Sequence, residues 1–155
     1  MIDKIITHIE GLDKAKSYCA YQERCQKEVS DKLYSWKLNV DEVNYVIDHL
    51  IQENYLNEER FAIAFAGGKF RIKHWGRKKI VKKLKEKRIS EYCIKKALEE
   101  IDDKEYIITL HRLIEKKHSS LKEKNPFTKK KKTAAYVYGK GYESDLIWGH
   151  LNDFY

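Results

Sequence analysis

Eleven lysines and arginines lie between Lys69 and Arg88, and they face a single acid, Glu86. The whole chain of 155 residues carries a formal charge of only +8, so its remainder is slightly acidic and its positive charge is concentrated here. Ammonium and guanidinium groups at this density do one kind of chemistry well: they neutralise phosphates or carboxylates without making or breaking a bond. A second run, Lys129, Lys130, Lys131 and Lys132, has the same character. A lysine-rich helix face that is merely solvated normally interleaves glutamates four residues away to relieve repulsion. Acids are nearly absent from both runs, so the like charges cost stability until a polyanion or an acidic groove neutralises them.

Other reactive side chains are sparse. Cys19, Cys25 and Cys93 have no paired close spacing and no histidine at a ligand spacing, so they read as buried, reduced thiols rather than zinc ligands. There is no glycine-rich phosphate loop, no HExxH and no G-x-S-x-G elbow. Asp102 and Asp103 stand at a helix start, where acids favour the dipole. The expectation is a protein with no catalytic residue, no metal and no cofactor. The first residues, MIDKIITHIEGLDK, lack a cleavable apolar core, and no apolar run approaches the ~20 residues that span a bilayer. A soluble cytoplasmic protein without a membrane partner is expected.

The elements that must position the lysines are helices. One proline and seven glycines are too few for an all-β chain, while 42% hydrophobic and 36% charged residues suit amphipathic helices with wet outer faces. The chain also repeats. A shift of 51 positions puts Val29 on Ile80, Leu33 on Leu84, Leu38 on Ile89 and Val43 on Ile94; a further shift of 53 puts Leu84 on Val137, Ile89 on Tyr142 and Ile94 on Ile147. Four hydrophobic staples punctuate it, in which two apolar residues bracket a cap: Leu38–Asn39–Val43, Leu56–Asn57–Phe61, Ile89–Ser90–Ile94 and Tyr142–Glu143–Ile147.

These patterns predict an all-α protein of three tandem three-helix repeats in an elongated, curved arrangement, spanning 1–53, 54–101 and 102–155. Helices are expected over 13–22, 24–36 and 40–53, then 58–72, 76–88 and 91–101, then 103–121, 128–139 and 144–153. The stretch KEKNPF, 122–127, reads as the clearest break, because Pro126 cannot continue a helix. A unit of this size buries little surface alone, so neighbours should stack. Ile80, Leu84, Ile89, Ile94 and Leu98 are the expected core of the second unit.

On the middle helix of that unit, Ile80 and Leu84 point inward with Arg77 and Arg88 at the ends of the stripe, and Lys78, Lys79, Lys82, Lys83 and Lys85 project from the remaining arc. In the first unit the positions matching Arg77, Lys78 and Lys79 are Gln26, Lys27 and Glu28, so the basic character belongs to units two and three. The candidate partner- and DNA-contact residues are Lys69, Arg71, Lys73, Arg77, Lys78, Lys79, Lys82, Lys83, Lys129, Lys130, Lys131 and Lys132. Lys78, Lys79, Lys82 and Lys83 are expected to share one concave surface with Lys130 and Lys131. Trp75 and His74 lie beside the stripe and could stack on bases, whereas Phe70 is expected in the core.

The segment YLNEERFAIAFAGGKFRIKHWGRKKIVKKLKEKRIS, 55–90, resembles the central repeat of the RecX family, the bacterial modulators of the RecA recombinase. The family pattern, roughly Y-L-D-D-x-R-F-A, a basic stretch, then G-x-x-x-I-x-x-x-L-x-x-K-G-I, is matched by Tyr55, Leu56, Asn57, Glu58, Arg60, Phe61 and Ala62, then Gly76, Ile80, Leu84, Lys87 and Ile89. YCAYQERCQKEVSDKL upstream and YGKGYESDLIWGHL downstream resemble the flanking repeats, so the likeness runs from about Leu12 to Leu151. The resemblance implies curved tandem three-helix repeats with an inner basic surface. It also implies a monomer that binds RecA–DNA filaments in their groove, inhibits ATP hydrolysis and strand exchange or promotes disassembly, and contacts single- or double-stranded DNA without sequence specificity. The competing reading is a free-standing nucleic-acid-binding protein of helix-turn-helix type. Its third helices, with Glu91, Lys95 and Lys96 or Asp41, Glu42 and Asn44, offer few base readers.

Two departures from the family pattern bear on local geometry. Arg88 stands where the family has a glycine, a position that favours the left-handed conformation, whereas Gly141 keeps the glycine in the third unit. Gly67–Gly68 inside a helix predicts a bend or a close helix approach.

Overall fold

Short polar side chains open most of the helices. Thr7, Asn39, Asn57, Ser90, Asp102 and Asn125 each accept a hydrogen bond from a backbone N–H of the first turn, satisfying donors that have no partner inside the helix. Asn39 and Glu42 form a reciprocal capping box, Asn39 Oδ1 accepting from the Glu42 N–H at 2.9 Å and Glu42 Oε1 from the Asn39 N–H at 3.0 Å. The computed structural model describes residues 7–155, and among them it contains nine α-helices and no strand. Helices α1 (His8–Tyr21), α2 (Gln26–Ser35) and α3 (Val40–Gln52) make the first repeat. The second comprises α4 (Glu58–Lys73), α5 (Arg77–Glu86) and α6 (Glu91–Glu99), and the third α7 (Asp103–Ser120), α8 (Pro126–Gly139) and α9 (Ser144–Phe154). The first six residues of the expected opening unit lie outside the described residues.

The repeat register holds at the level of single turns. The bounds of α2 and α5 differ by the 51-residue shift at both ends, and α5 and α8 end 53 residues apart. The residue that reverses the chain after each middle helix has positive φ in all three copies: Lys37 at 68°, Arg88 at 62° and Gly141 at 103°. Arg88 therefore does adopt the left-handed conformation, at a cost on the order of 1 kcal/mol relative to glycine. All eight apolar members of the four staples are buried, and Leu33, Leu84 and Val137, at matching positions of the three middle helices, are wholly enclosed.

Burial divides the molecule unevenly. Ala15, Cys19, Val29, Leu33, Val43, Val46 and Leu50 form a core within the first repeat. A second, larger core runs through the other two, joining Phe61, Ala66, Ile80, Leu84 and Ile94 to Tyr106, Leu110, Val137 and Leu151. Polar contacts carry much of the first joint: Arg60 Nε donates to Glu23 at 2.5 Å, and its other nitrogens to the Asn54 side chain and the Asn54 and Tyr55 carbonyls. Cys25 reaches into the larger core from the first repeat. All three cysteines are free and buried, and burial pushes the thiols of Cys19 and Cys25 up to about 11.

Four local expectations change. α1 begins at His8, because Thr7 caps it, rather than near 13. The break before α8 covers 121–125, and Pro126 sits in the first turn of the helix, where its missing N–H costs nothing; Asn125 Oδ1 accepts from Phe127 and Thr128 instead. Leu98 is half-buried, because it lines an open cleft between α5 and α6. Gly67 and Gly68 make no close helix approach: a Cβ on Gly67 would meet only the flexible Arg71 guanidinium, and one on Gly68 would meet open space.

Candidate nucleic-acid interface

The two basic middle helices meet end to start. Gly76 caps α5, and its N–H donates to the Lys140 carbonyl at 2.8 Å, while the Lys78 N–H donates to the Gly141 carbonyl at 2.9 Å. The backbones touch so closely that a Cβ on Gly76 would lie 2.4 Å from the Gly141 carbonyl carbon. Only glycine fits this crossing. Beside it, the Arg77 guanidinium stacks 3.8 Å from the Tyr106 ring centroid and donates to Glu143 at 2.9 Å and Asp103 at 2.8 Å. The Tyr106 hydroxyl accepts the Arg77 N–H at 3.0 Å and donates to Glu143. Burial, reinforced by that carboxylate, holds the Tyr106 phenol far above its ordinary range, so it remains a proton donor. The Tyr142 hydroxyl adds a bond to the His74 carbonyl at 3.0 Å. Arg77, a candidate contact residue by sequence, is thus engaged as the connector that fixes α5 against the α8–α9 turn.

The remaining cations fall into three groups. On α5 and at its C-cap, Lys79, Lys83 and Lys87 follow one another at four-residue intervals and are half-buried, whereas Lys78 and Lys82 make an exposed stripe beside them. Lys79 lies 4.6 Å and Lys69 5.1 Å from the Trp75 ring centroid, so two ammonium groups flank that half-buried indole. Lys83 reaches Glu86 at 3.5 Å and Lys87 reaches Glu28 at 3.9 Å, exposed or partly exposed pairs of small energetic weight. Arg71 and Lys73 are exposed at the C-terminal turn of α4, where the macrodipole favours cations.

The four consecutive lysines of α8 separate, since 100° per residue spreads them around the helix. Lys129 and Lys130 are half-buried toward the end of α7, where their charge adds to burial in lowering the affinity of His118 for protons. Lys132 pairs with Glu123 of the preceding loop. Lys131 projects on another side, 5.0 Å from the Phe127 ring centroid. Lys130 and Lys131, expected on one surface, thus point to different sides of α8.

Sequence reasoning passed over two aromatic residues. Tyr138 of α8 lies 5.6 Å from Lys78 Nζ, which bridges α8 to α5, and Tyr138 and Phe127 are 54% and 64% exposed. The visible signal was their spacing: Phe127, Lys131 and Tyr138 are separated by four and seven residues and share one helix face. Phe70 is core, packed 5.8 Å from Tyr106, as expected. Among the described residues, no group of three His, Cys, Asp or Glu side chains could hold a metal ion, and no helix is long and apolar enough to cross a membrane.

Comparison with known proteins matches each repeat separately. Residues 12–50 match the first three-helix domain of RecX, 57–98 the second and 104–151 the third. The regulatory protein RecX of Lactobacillus gasseri is 32% identical over 106 residues, which cover 68% of this chain and 39% of that protein. The regulatory protein RecX of Clostridium perfringens strain 13 is 32% identical over 124 residues, covering 79% and 58%. The matched stretch thus spans about two fifths to three fifths of the length of these relatives. The crystal structure of RecX from Lactobacillus salivarius superposes with a TM-score of 0.83 at 26% identity, covering 94% of this chain and 95% of that one.

Proposed function

The chain belongs to the RecX family, and on that premise we propose that it is a non-catalytic regulator of homologous recombination that binds RecA filaments on DNA and inhibits their ATP hydrolysis and strand exchange. The observation that carries this reading is the pair of acid-poor middle helices, α5 with one glutamate and α8 with none, tied together through Gly76 and Arg77. Were the filament groove to present phosphates or acidic side chains, a cationic surface of fixed shape would bind it with its ordering cost already reduced. Lys69, Arg71, Lys73, Lys78, Lys79, Lys82, Lys83 and Lys131 are the proposed contacts. Lys129 and Lys130 lie toward the end of α7, Lys132 pairs with Glu123, and Arg77 acts by positioning.

The test adds the protein to the host recombinase on single-stranded DNA and follows ATP hydrolysis. Replacing Lys78, Lys79, Lys82 and Lys83 together by alanine should abolish inhibition while the helical signal is kept, because Ile80 and Leu84 carry the core. On single-stranded DNA alone, each lost phosphate contact should reduce the log–log salt slope by about 0.7. A fourfold variant that inhibits as well as the parent refutes the basic face. If the parent binds DNA tightly and leaves the recombinase unaffected, the free-standing DNA-binding reading replaces this one.

A further inference from the structure

We infer that one side of α8, continued onto the start of α5, is a stacking track for single-stranded nucleic acid, with Phe127 and Tyr138 carrying bases and Lys131, Lys78 and Lys82 taking the phosphates between them. The inference rests on the polyanion-binding reading above and adds to it a choice of strand state and the residues that make that choice.

Three features point there. First, two large rings stand out from α8: Phe127 and Tyr138 are more than half exposed and share a face with Lys131. Second, each ring has an ammonium group beside it, Lys131 at 5.0 Å from Phe127 and Lys78 at 5.6 Å from Tyr138. A cation in that position can leave the ring for a phosphate as a base takes its place. Third, α8 contains no acid, and the exposed stripe Lys78–Lys82 prolongs the track across the joint.

The dimensions suit a strand. Phe127 and Tyr138 are eleven residues apart, about 16 Å along the helix, a span that an unpaired strand bridges with a few nucleotides. Between them on that face lies Lys131, which is exposed, while Ala134 beside it is buried at the inner edge of the helix. A duplex keeps its bases stacked inside and offers these rings nothing but sugar and phosphate, so the track selects unpaired strands. Trp75 is less suited, because it is half-buried and already flanked by Lys69 and Lys79.

The experiment compares two oligomers of equal length, oligothymidylate and an abasic strand with the same number of phosphates, by fluorescence anisotropy. Both rings are exposed, so the double variant Phe127→Ala, Tyr138→Ala should melt with the parent protein. It should bind oligothymidylate at least roughly thirtyfold more weakly, since stacking is worth about 1–3 kcal/mol per base and two rings are lost. Binding to the abasic strand should hold within about twofold. Tyr138→Phe should retain the parent affinity, because the ring and not the hydroxyl does the stacking. Lys82→Ala should weaken both oligomers equally. The inference is overturned if the double variant binds oligothymidylate as well as the parent, or loses both oligomers alike. If the parent binds neither, the DNA arm of the proposed function falls with it. Unchanged oligomer binding with lost filament inhibition would assign the rings to a protein surface and also overturn the track.

Discussion

Replacing Arg77 by alanine separates a positioning residue from a contact residue, because the two roles predict opposite readouts. In the joint, the guanidinium stacks on Tyr106 and donates to Glu143 and Asp103. The Asp103 carboxylate is almost fully exposed, so that arm contributes little. Glu143 is mostly covered and also accepts from Tyr106; losing its cation leaves a partly desolvated charge, at about 1–2 kcal/mol. Loss of the stacked guanidinium adds roughly 0.5–1 kcal/mol. The sum, about 1.5–3 kcal/mol, corresponds to a fall in Tm of roughly 5–9 °C for a chain of this length.

Thermal melting followed by circular dichroism measures that fall. The salt dependence of single-stranded DNA binding, measured well below the new Tm, should keep the parent slope, because Arg77 gives up no phosphate. Lys82→Ala should do the reverse, leaving Tm within about 1 °C and lowering the slope by about 0.7. A double-mutant cycle of Arg77→Ala with Glu143→Gln should show a coupling of about 1 kcal/mol. An Arg77→Ala protein that melts with the parent and binds DNA with a reduced slope would refute the joint and return Arg77 to the contact surface.

Two further expectations concern stability. His150 is buried with both ring nitrogens unpartnered; it stacks on His111 at 3.9 Å, with Glu115 3.8 Å away, and burial followed by the His111 charge lowers its proton affinity. The unfolded chain therefore binds that proton more readily, so stability should be flat above the usual histidine pKa of about 6.5 and decline below it until His150 itself is protonated. Melting across pH 5 to 8, with His150→Phe as the comparison, checks this, and identical pH profiles for the two proteins would refute it. Arg88→Gly relieves a positive φ on an exposed turn and should raise stability by roughly 0.5 kcal/mol, the relief less the entropy glycine adds to the unfolded chain. Urea unfolding measures it, and a lower midpoint would show that the turn is not strained.

Local physics made much of the fold readable in advance. A staple needs only a cap and two apolar residues five apart, so Leu38, Asn39 and Val43 announce a helix start without knowledge of anything distant. The turn after each middle helix is equally local, and its three copies at Lys37, Arg88 and Gly141 repeat the shift that aligned the apolar positions. The joint was not readable, because Arg77 finds Asp103, Tyr106 and Glu143 only after two repeats have packed, at sequence separations of 26 to 66 residues. Composition marked Arg77 as one more cation of a basic run; only tertiary structure distinguishes it from Lys78 next to it. The splitting of Lys129 to Lys132 was legible in principle, since consecutive residues cannot share a helix face. Attention to charge alone also hid Phe127 and Tyr138.

The placement of the acids completes the physical account of the basic surface. Two cationic helices brought end to start should repel, and the exposed pairs Lys83–Glu86 and Lys132–Glu123 relieve little of it. The opposing charge stands at the joint instead: Asp103 begins α7, Glu143 caps α9, and both turn to Arg77 between the helices. Repulsion between α5 and α8 is thereby offset where the backbones of Gly76 and Gly141 touch, while Lys78, Lys82 and Lys131 stay uncompensated outside. Neutralising those outer lysines with interleaved glutamates would stabilise the free protein and remove its attraction for a polyanion. The arrangement keeps the cationic face exposed and gives it a fixed shape, and a rigid surface loses less entropy when an anionic partner binds.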